Sequence, residues 1–150
     1  MKLYIMRHGE AAPFADVDRN RSLSEHGRWQ VSEVARQMSG LPLNGILASP
    51  YLRAQQTAEL MQVGMTAMGI PVVCCDQLIP DASVRAVLGA IPDSGCWLLV
   101  SHMPLVSSLA GLLMQDAPDQ GVIFSTAMVV GLEMPVVAPG LATQSLIYLP

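Results

Sequence analysis

Three short segments of the chain combine residues able to grip and attack an anion. Arg7-His8-Gly9-Glu10 follows the apolar run Lys2–Met6, Ser49-Pro50-Tyr51-Leu52-Arg53 follows Gly45–Ala48, and Ser101-His102-Met103-Pro104 follows Cys96–Val100. Arginine forks bind phosphate or carboxylate oxygens two at a time. A neutral imidazole can attack phosphorus and carry the phosphoryl group covalently. Helix starts after Ser49 and near Pro104 would add free N–H groups and positive potential. No Walker-type glycine loop, Asp-x-Asp pair or metal-ligand cluster accompanies these segments. The positive charge must then come from arginine and protonated histidine rather than from Mg²⁺. The chemistry this points to is phosphoryl transfer to a histidine, with no metal and no cofactor.

Residues 45 to 49 positions apart can converge only if the fold carries them to one place. Lys2–Met6 reads as a strand and Glu10–Ser22 as a loop; Ser24 caps a helix with an apolar stripe of Trp29, Val31, Val34, Ala35 and Met38, ending near Gly40. Gly45–Ala48 is a second strand. Ser49-Pro50 opens another helix, with Ser49 as cap and Pro50 at its first position, running to Gly69. Pro71–Cys75 is a third strand, Asp76–Ser83 a loop, Val84–Ile91 a short helix, Cys96–Val100 a fourth strand, and Pro104–Met114 a helix. Val122–Leu132 and Ser145–Leu149 read as two final strands. Alternation of this kind predicts one α/β domain over residues 1–150, a three-layer α/β/α arrangement with a mostly parallel central sheet. In such sheets ligands bind beyond the carboxyl ends of the strands, which is where all three segments fall.

Composition narrows the function classes. The 150 residues are 51% hydrophobic and 13% charged, which excludes a disordered chain. Ser94–Gln115 is uncharged and long enough to span a bilayer. Its middle, however, holds Ser101, His102, Pro104, Ser107, Ser108 and Gly111, so a buried strand, a turn and a buried helix are expected there. Seven of the eight cations are arginines, all eight lie in residues 1–85, and the net charge is −4. Such a chain does not coat nucleic acid. Cys74, Cys75 and Cys96 form neither a disulfide framework nor a zinc motif, and are expected as buried thiols. The apolar stretch Leu3–Met6 stops at Arg7, too short for a signal peptide, so a cytoplasmic monomer is the expectation. The ten methionines are spaced for core packing rather than for metal.

Arg7-His8-Gly9-Glu10 matches the RHG[E/D] signature of the histidine phosphatase superfamily, whose fold is phosphoglycerate-mutase-like. Leu23-Ser24-Glu25-His26-Gly27, Ser49-Pro50 followed by Arg53 and Gln56-Thr57-Ala58, and Ser101-His102 resemble that family's further motifs in order, over about residues 2–110. The short length and the forms Ser-His-Met-Pro-Leu-Val and Asn-Arg-Ser-Leu-Ser look like its SixA-type phosphohistidine phosphatases. The resemblance implies His8 as nucleophile and Arg7, Arg53 and His102 as the phosphate pocket. It also implies a phosphate or substrate contact for Arg21.

Relatives that cleave phosphate esters carry a general acid, usually Glu, after the third strand; here that position falls on Pro80. An alkoxide leaving group needs such an acid, worth about 10²–10⁴-fold, whereas an imidazole leaving group is easily protonated. The missing acid therefore favours phosphohistidine, with Asp81 as a rival acid one residue on. The chain has little length to cap its pocket. That suits a phosphohistidine presented by another protein, a phosphotransfer domain or a phosphotransferase-system carrier. Two alternatives stay open: a broad phosphomonoesterase using Asp81, and a non-catalytic module that binds phosphate or phosphohistidine. Blander roles are expected elsewhere. His26 reads as solvated, Arg19, Arg28, Arg36 and Arg85 as surface charges, Glu10 as a partner of a nearby Arg or helix end, and Trp29 and Trp97 as core anchors.

Overall fold

In the computed structural model, which describes residues 1–150, Lys2–Arg7 forms the first strand, β1. Its side chains alternate between two apolar layers. Leu3 and Ile5 enter one core cluster, Tyr4 and Met6 the other, so this strand is covered on both faces. Gly45–Ala48 (β2), Val72–Cys74 (β3) and Cys96–Ser101 (β4) run parallel to it, Val129–Glu133 (β5) pairs with it antiparallel, and Thr143–Tyr148 (β6) pairs antiparallel with β5. The sheet order is β3-β2-β4-β1-β5-β6. Inserting β4 between β2 and β1 creates the switch point at which ligands of α/β sheets bind.

The helices are Glu25–Gln37 (α1), Leu52–Gly64 (α2), Val84–Leu88 (α3) and Leu105–Gln115 (α4). Buried residues of α1 and α2 pack with Tyr4, Met6, Ile46, Leu98 and Val100 on one face. On the other face α3 and α4 pack with Leu3, Ile5, Leu47 and Leu99. The result is the expected three-layer α/β/α arrangement with a mixed, mainly parallel sheet of six strands. The uncharged run 94–115 divides into β4 and the 11-residue α4, and no helix is long and apolar enough to cross a membrane.

Several sequence expectations are corrected. Trp29 is 53% exposed and stacks on His26 at 5.5 Å instead of anchoring the core. At 100° per residue it sits roughly 160° from Val31, so it never belonged to the apolar stripe. Trp97 packs partly buried against one core cluster. Neither Ser49 nor Pro50 begins α2; Tyr51 is its N-cap and Ser49 stays on the strand end, fully buried. Residues 122–128 form a loop before β5 rather than strand. Cys74 is exposed because β3 is an edge strand, whereas Cys75 and Cys96 are buried.

Glycine sets how closely β1 approaches α1. Ser24 caps α1 by accepting the Gly27 N–H at 2.9 Å. That brings Gly27 so near Glu10 that any β-carbon on it would strike the Glu10 carbonyl oxygen. A β-carbon on Gly9 would lie 2.7 Å from the Gly27 oxygen and 2.8 Å from Val31 Cγ2. Backbone cannot give way as a flexible side chain can. Gly27→Ala should therefore cost about 2 kcal/mol or more of unfolding free energy in urea. Gly69→Ala, whose new carbon meets nothing within 4 Å, should stay within about 0.5 kcal/mol of wild type.

Candidate active site

The site is a product of strand register. β1 and β4 pair with Arg7 opposite Ser101, and the His8 N–H extends the ladder by donating to the Ser101 carbonyl at 3.0 Å. His8 and His102 thus leave neighbouring strands at one level, with ring centroids 5.0 Å apart, edge to face. β2 ends at the same level: Ala48 lies opposite Val100, and the Ser49 N–H donates to the Val100 carbonyl at 3.0 Å. The chain then turns into α2, whose first turn carries Arg53.

Hydrogen bonds define the state of His8. Its Nδ1 lies 2.7 Å from the Gly9 carbonyl oxygen. A carbonyl only accepts, so Nδ1 bears the proton and Nε2 keeps its lone pair. Arg53 Nε donates to that Nε2 at 3.2 Å. The rest of the Arg53 guanidinium is held by Asp18: Nη1 donates to its carbonyl oxygen at 2.8 Å and Nη2 to Oδ2 at 3.1 Å. Thr57 Oγ1 fastens the two segments together. It accepts the Gly9 N–H at 3.1 Å and donates to the Arg53 carbonyl at 2.7 Å.

Arg7 reaches sideways, its Nη1 donating to the Phe124 carbonyl at 2.9 Å. The 122–128 loop is secured there as well, by the Ala127 N–H to the His8 carbonyl at 3.0 Å and the Arg7 N–H to the Met128 carbonyl at 3.1 Å. His102 Nε2 lies 2.7 Å from Ser49 Oγ. The Tyr51 ring stands edge-on to His102 at 5.0 Å and lies under the Arg53 guanidinium, also at 5.0 Å. Only two buried side-chain N or O atoms in the protein have no hydrogen-bond partner: Arg7 Nε and His102 Nδ1.

The structure thus brings together His8, Arg53 and His102 directly, with Arg7 beside them on the end of β1. Arg21 stands one step away, donating from Nε to Asp18 Oδ1 at 2.8 Å and from Nη1 to the Ala12 carbonyl at 3.3 Å. Asp81 is exposed and takes part in no ion pair. Glu10 accepts from the Ser24 hydroxyl at 2.8 Å rather than meeting an arginine. Asp18 was not anticipated at the site, and Ser49, Tyr51 and Thr57, although they lie in the segments quoted above, were given no such contacts. Thr57 had a signal, since it follows Arg53 by four residues and shares its helical face. No group of three or more His, Cys, Asp or Glu side chains is placed to hold a metal ion. The protein's one cavity, about 380 Å³ and lined in part by Met1, Lys2, Glu133 and Met134, opens at the opposite end of β1.

Electrostatics follow from burial. His8 is 7% exposed and His102 2%. Burial, opposed by the Gly9 carbonyl but helped by Arg53, Arg7 and Arg21, pushes His8 down to about 4. Burial again, with His8, Arg53 and Arg7 nearby and Asp18 opposing, pushes His102 down to about 3. Both rings are neutral at pH 7, which corrects the expectation of a protonated histidine here. Asp18 behaves oppositely: burial raises it, but hydrogen bonds from Arg21 and Arg53 outweigh that and hold the carboxyl below its ordinary value.

Residues 3–79 match the profile of the histidine phosphatase superfamily, branch 1. The phosphohistidine phosphatase SixA of Escherichia coli (strain K12) is 33% identical over 124 residues, covering 75% of this chain and 74% of that protein. The SixA homolog of Haemophilus influenzae is 32% identical over 126 residues, covering 75% of this chain and 77% of that one. Among solved structures, the protein histidine phosphatase SixA complexed with tungstate superposes with a TM-score of 0.85 at 26% identity, over 100% of this chain and 97% of that one.

The buried neutral rings make stability depend on pH. Each folded pKa lies below its ordinary value of 6.5, so the unfolded chain binds more protons as pH falls through that value. Stability is full above pH 6.5 and declines toward pH 4, by up to about 1.4 kcal/mol per pH unit for each ring. Urea midpoints recorded from pH 7.5 to 4 should show this decline, and the His8→Asn/His102→Asn double variant should lose most of it.

Proposed function

This chain belongs to the histidine phosphatase superfamily (branch 1), and from that membership we propose that it is a metal-independent phosphohistidine phosphatase acting through a covalent phospho-His8 intermediate. Its substrate is a phosphohistidine-bearing protein, a phosphotransfer domain or a phosphotransferase-system carrier. The observation that carries this reading is the pair of buried, unpartnered nitrogens, Arg7 Nε on the residue before His8 and His102 Nδ1 on the ring 5.0 Å from it. Polar groups so placed call for an acceptor-rich partner, and a phosphoryl group supplies three equatorial oxygens.

In the proposed reaction the His8 Nε2 lone pair attacks phosphorus in line. The Arg53 Nε–H turns from Nε2 to a phosphoryl oxygen as the new N–P bond forms. The substrate's N–P bond breaks, and its imidazole takes a proton from solvent as it leaves. Arg7, Arg53 and His102 hold the oxygens through the transition state, where fixed donors in a dry site act most strongly. Water then attacks the phospho-His8 phosphorus, releasing inorganic phosphate and regenerating neutral His8. Neutrality at pH 7 suits each role of His8, because a protonated imidazole has no lone pair to give. The exposure of Asp81 favours a leaving group that needs no protein acid. A chain of 150 residues has little length to cap the site, which favours a phosphorylated side chain projecting from a partner protein. Asp18 and Arg21 lie at the rim of the site, where Arg21 braces the carboxylate that holds Arg53.

The test is phosphate release from a phosphorylated histidine phosphotransfer domain. Wild type should turn over, His8→Ala should lose at least about a thousandfold, and Arg53→Ala roughly 10²–10³-fold. Rapid quenching with labelled substrate should leave label on His8 that survives alkali and is lost in acid. p-Nitrophenyl phosphate should be the poorer substrate; a marked preference for it would favour the phosphomonoesterase reading. Binding without release by wild type would leave only the non-catalytic module.

A further inference from the structure

Ser49 is fully buried at the end of β2, and its hydroxyl has two neighbours. The Tyr51 N–H donates to Oγ at 3.3 Å, and His102 Nε2 lies 2.7 Å from it. A hydroxyl has one hydrogen to give and two lone pairs to offer; a neutral imidazole has one N–H and one lone pair. Only two arrangements satisfy the 2.7 Å contact.

If His102 Nε2 bears the proton, it donates to Ser49 Oγ. The hydroxyl hydrogen then has no acceptor in a fully buried setting, and the His102 Nδ1 lone pair, already without a partner, has none either. Two buried polar groups are stranded. If instead the hydroxyl donates to Nε2, Oγ still accepts the Tyr51 N–H. Nδ1–H alone is left unpaired, and it is a donor. Stranding buried polar groups is costly, so the second arrangement prevails.

We propose that Ser49 is a positioning residue, which by donating to His102 Nε2 locks that ring as its Nδ1–H tautomer and so lets an uncharged His102 donate a hydrogen bond to a phosphoryl oxygen. This rests on the phosphatase reading for the identity of the anion, but the tautomer is a property of the free protein. Ser49 itself does not touch the phosphoryl group. The arrangement reconciles two demands on the site. A second cation 5.0 Å from the His8 ring would draw electron density from the nucleophile, whereas a neutral ring in the wrong tautomer would turn a lone pair toward the phosphoryl oxygens and repel them. One hydroxyl proton removes both problems.

The experiment is long-range ¹H–¹⁵N correlation on the histidine-labelled protein at pH 7.5. His8, held as Nδ1–H by the Gly9 carbonyl, is the internal standard. His102 should match His8, with Nδ1 protonated and Nε2 bare. In Ser49→Ala the His102 pattern should shift toward Nε2–H while His8 stays as it was, and orthovanadate should bind roughly tenfold more weakly. Protonation of Nε2 in wild type, alone or together with Nδ1, overturns the proposal, and so does an unchanged His102 tautomer in Ser49→Ala. The wild-type spectrum decides the question even if that variant does not fold. A protein with His102 Nδ1 protonated that releases no phosphate overturns the phosphatase reading and leaves the Ser49 assignment standing.

Discussion

The site depends on the parallel ladder between β1 and β4. Because the pairing sets Arg7 against Ser101, the next residue on each strand is a histidine, and the two rings need no long side chain or loop to find each other. A slip of one residue would turn every side chain of β1 to the opposite face, exchanging Leu3 and Ile5 with Tyr4 and Met6 between two filled cores. Register is therefore enforced by apolar burial on both faces of the sheet. The separation of the histidines follows from the packing of leucine, isoleucine and methionine well beneath them.

On that base the protein assembles positive charge around neutral nitrogen. Arg53 is buried, and a buried guanidinium must have its donors met. Three acceptors meet them, two from Asp18 and one the lone pair of His8. Burial is the main reason that both rings stay unprotonated, and the nearby Arg53 guanidinium reinforces it. Cationic surroundings and an uncharged imidazole are two results of one arrangement.

Much of this was legible in the sequence. Arginine and histidine immediately after apolar runs, at the carboxyl ends of alternating strands and helices, located His8, Arg53 and His102 on the general rule for α/β sheets. What escaped notice was carried by backbone or by residues with common structural uses. Asp18 sits in a polar loop without period, and nothing in the letters distinguishes the aspartate that reaches back to α2 from Asp16 two positions earlier. Ser49 before Pro50 has the form of a helix cap, so its partnership with a histidine 53 residues later was hidden by a good local explanation. The apolar letters Val122, Ile123 and Phe124 suggested strand, but there the chain offers its carbonyl to Arg7 rather than pairing. Trp29 was misread against the helical period itself.

The loop that carries Asp18 has a further consequence. Phe14 and Val17 are exposed, as are the other residues from Pro13 to Asn20, so this stretch contributes little to the core while one of its carboxylates grips the buried arginine. Changes at positions 13 to 17 can alter the surface beside Arg53 at small cost to folding, whereas a change at position 18 reaches Arg53 and, through it, His8. Over evolutionary time this would let the surface beside the buried arginine vary while the arginine itself stays held, with a single aspartate marking where that freedom ends.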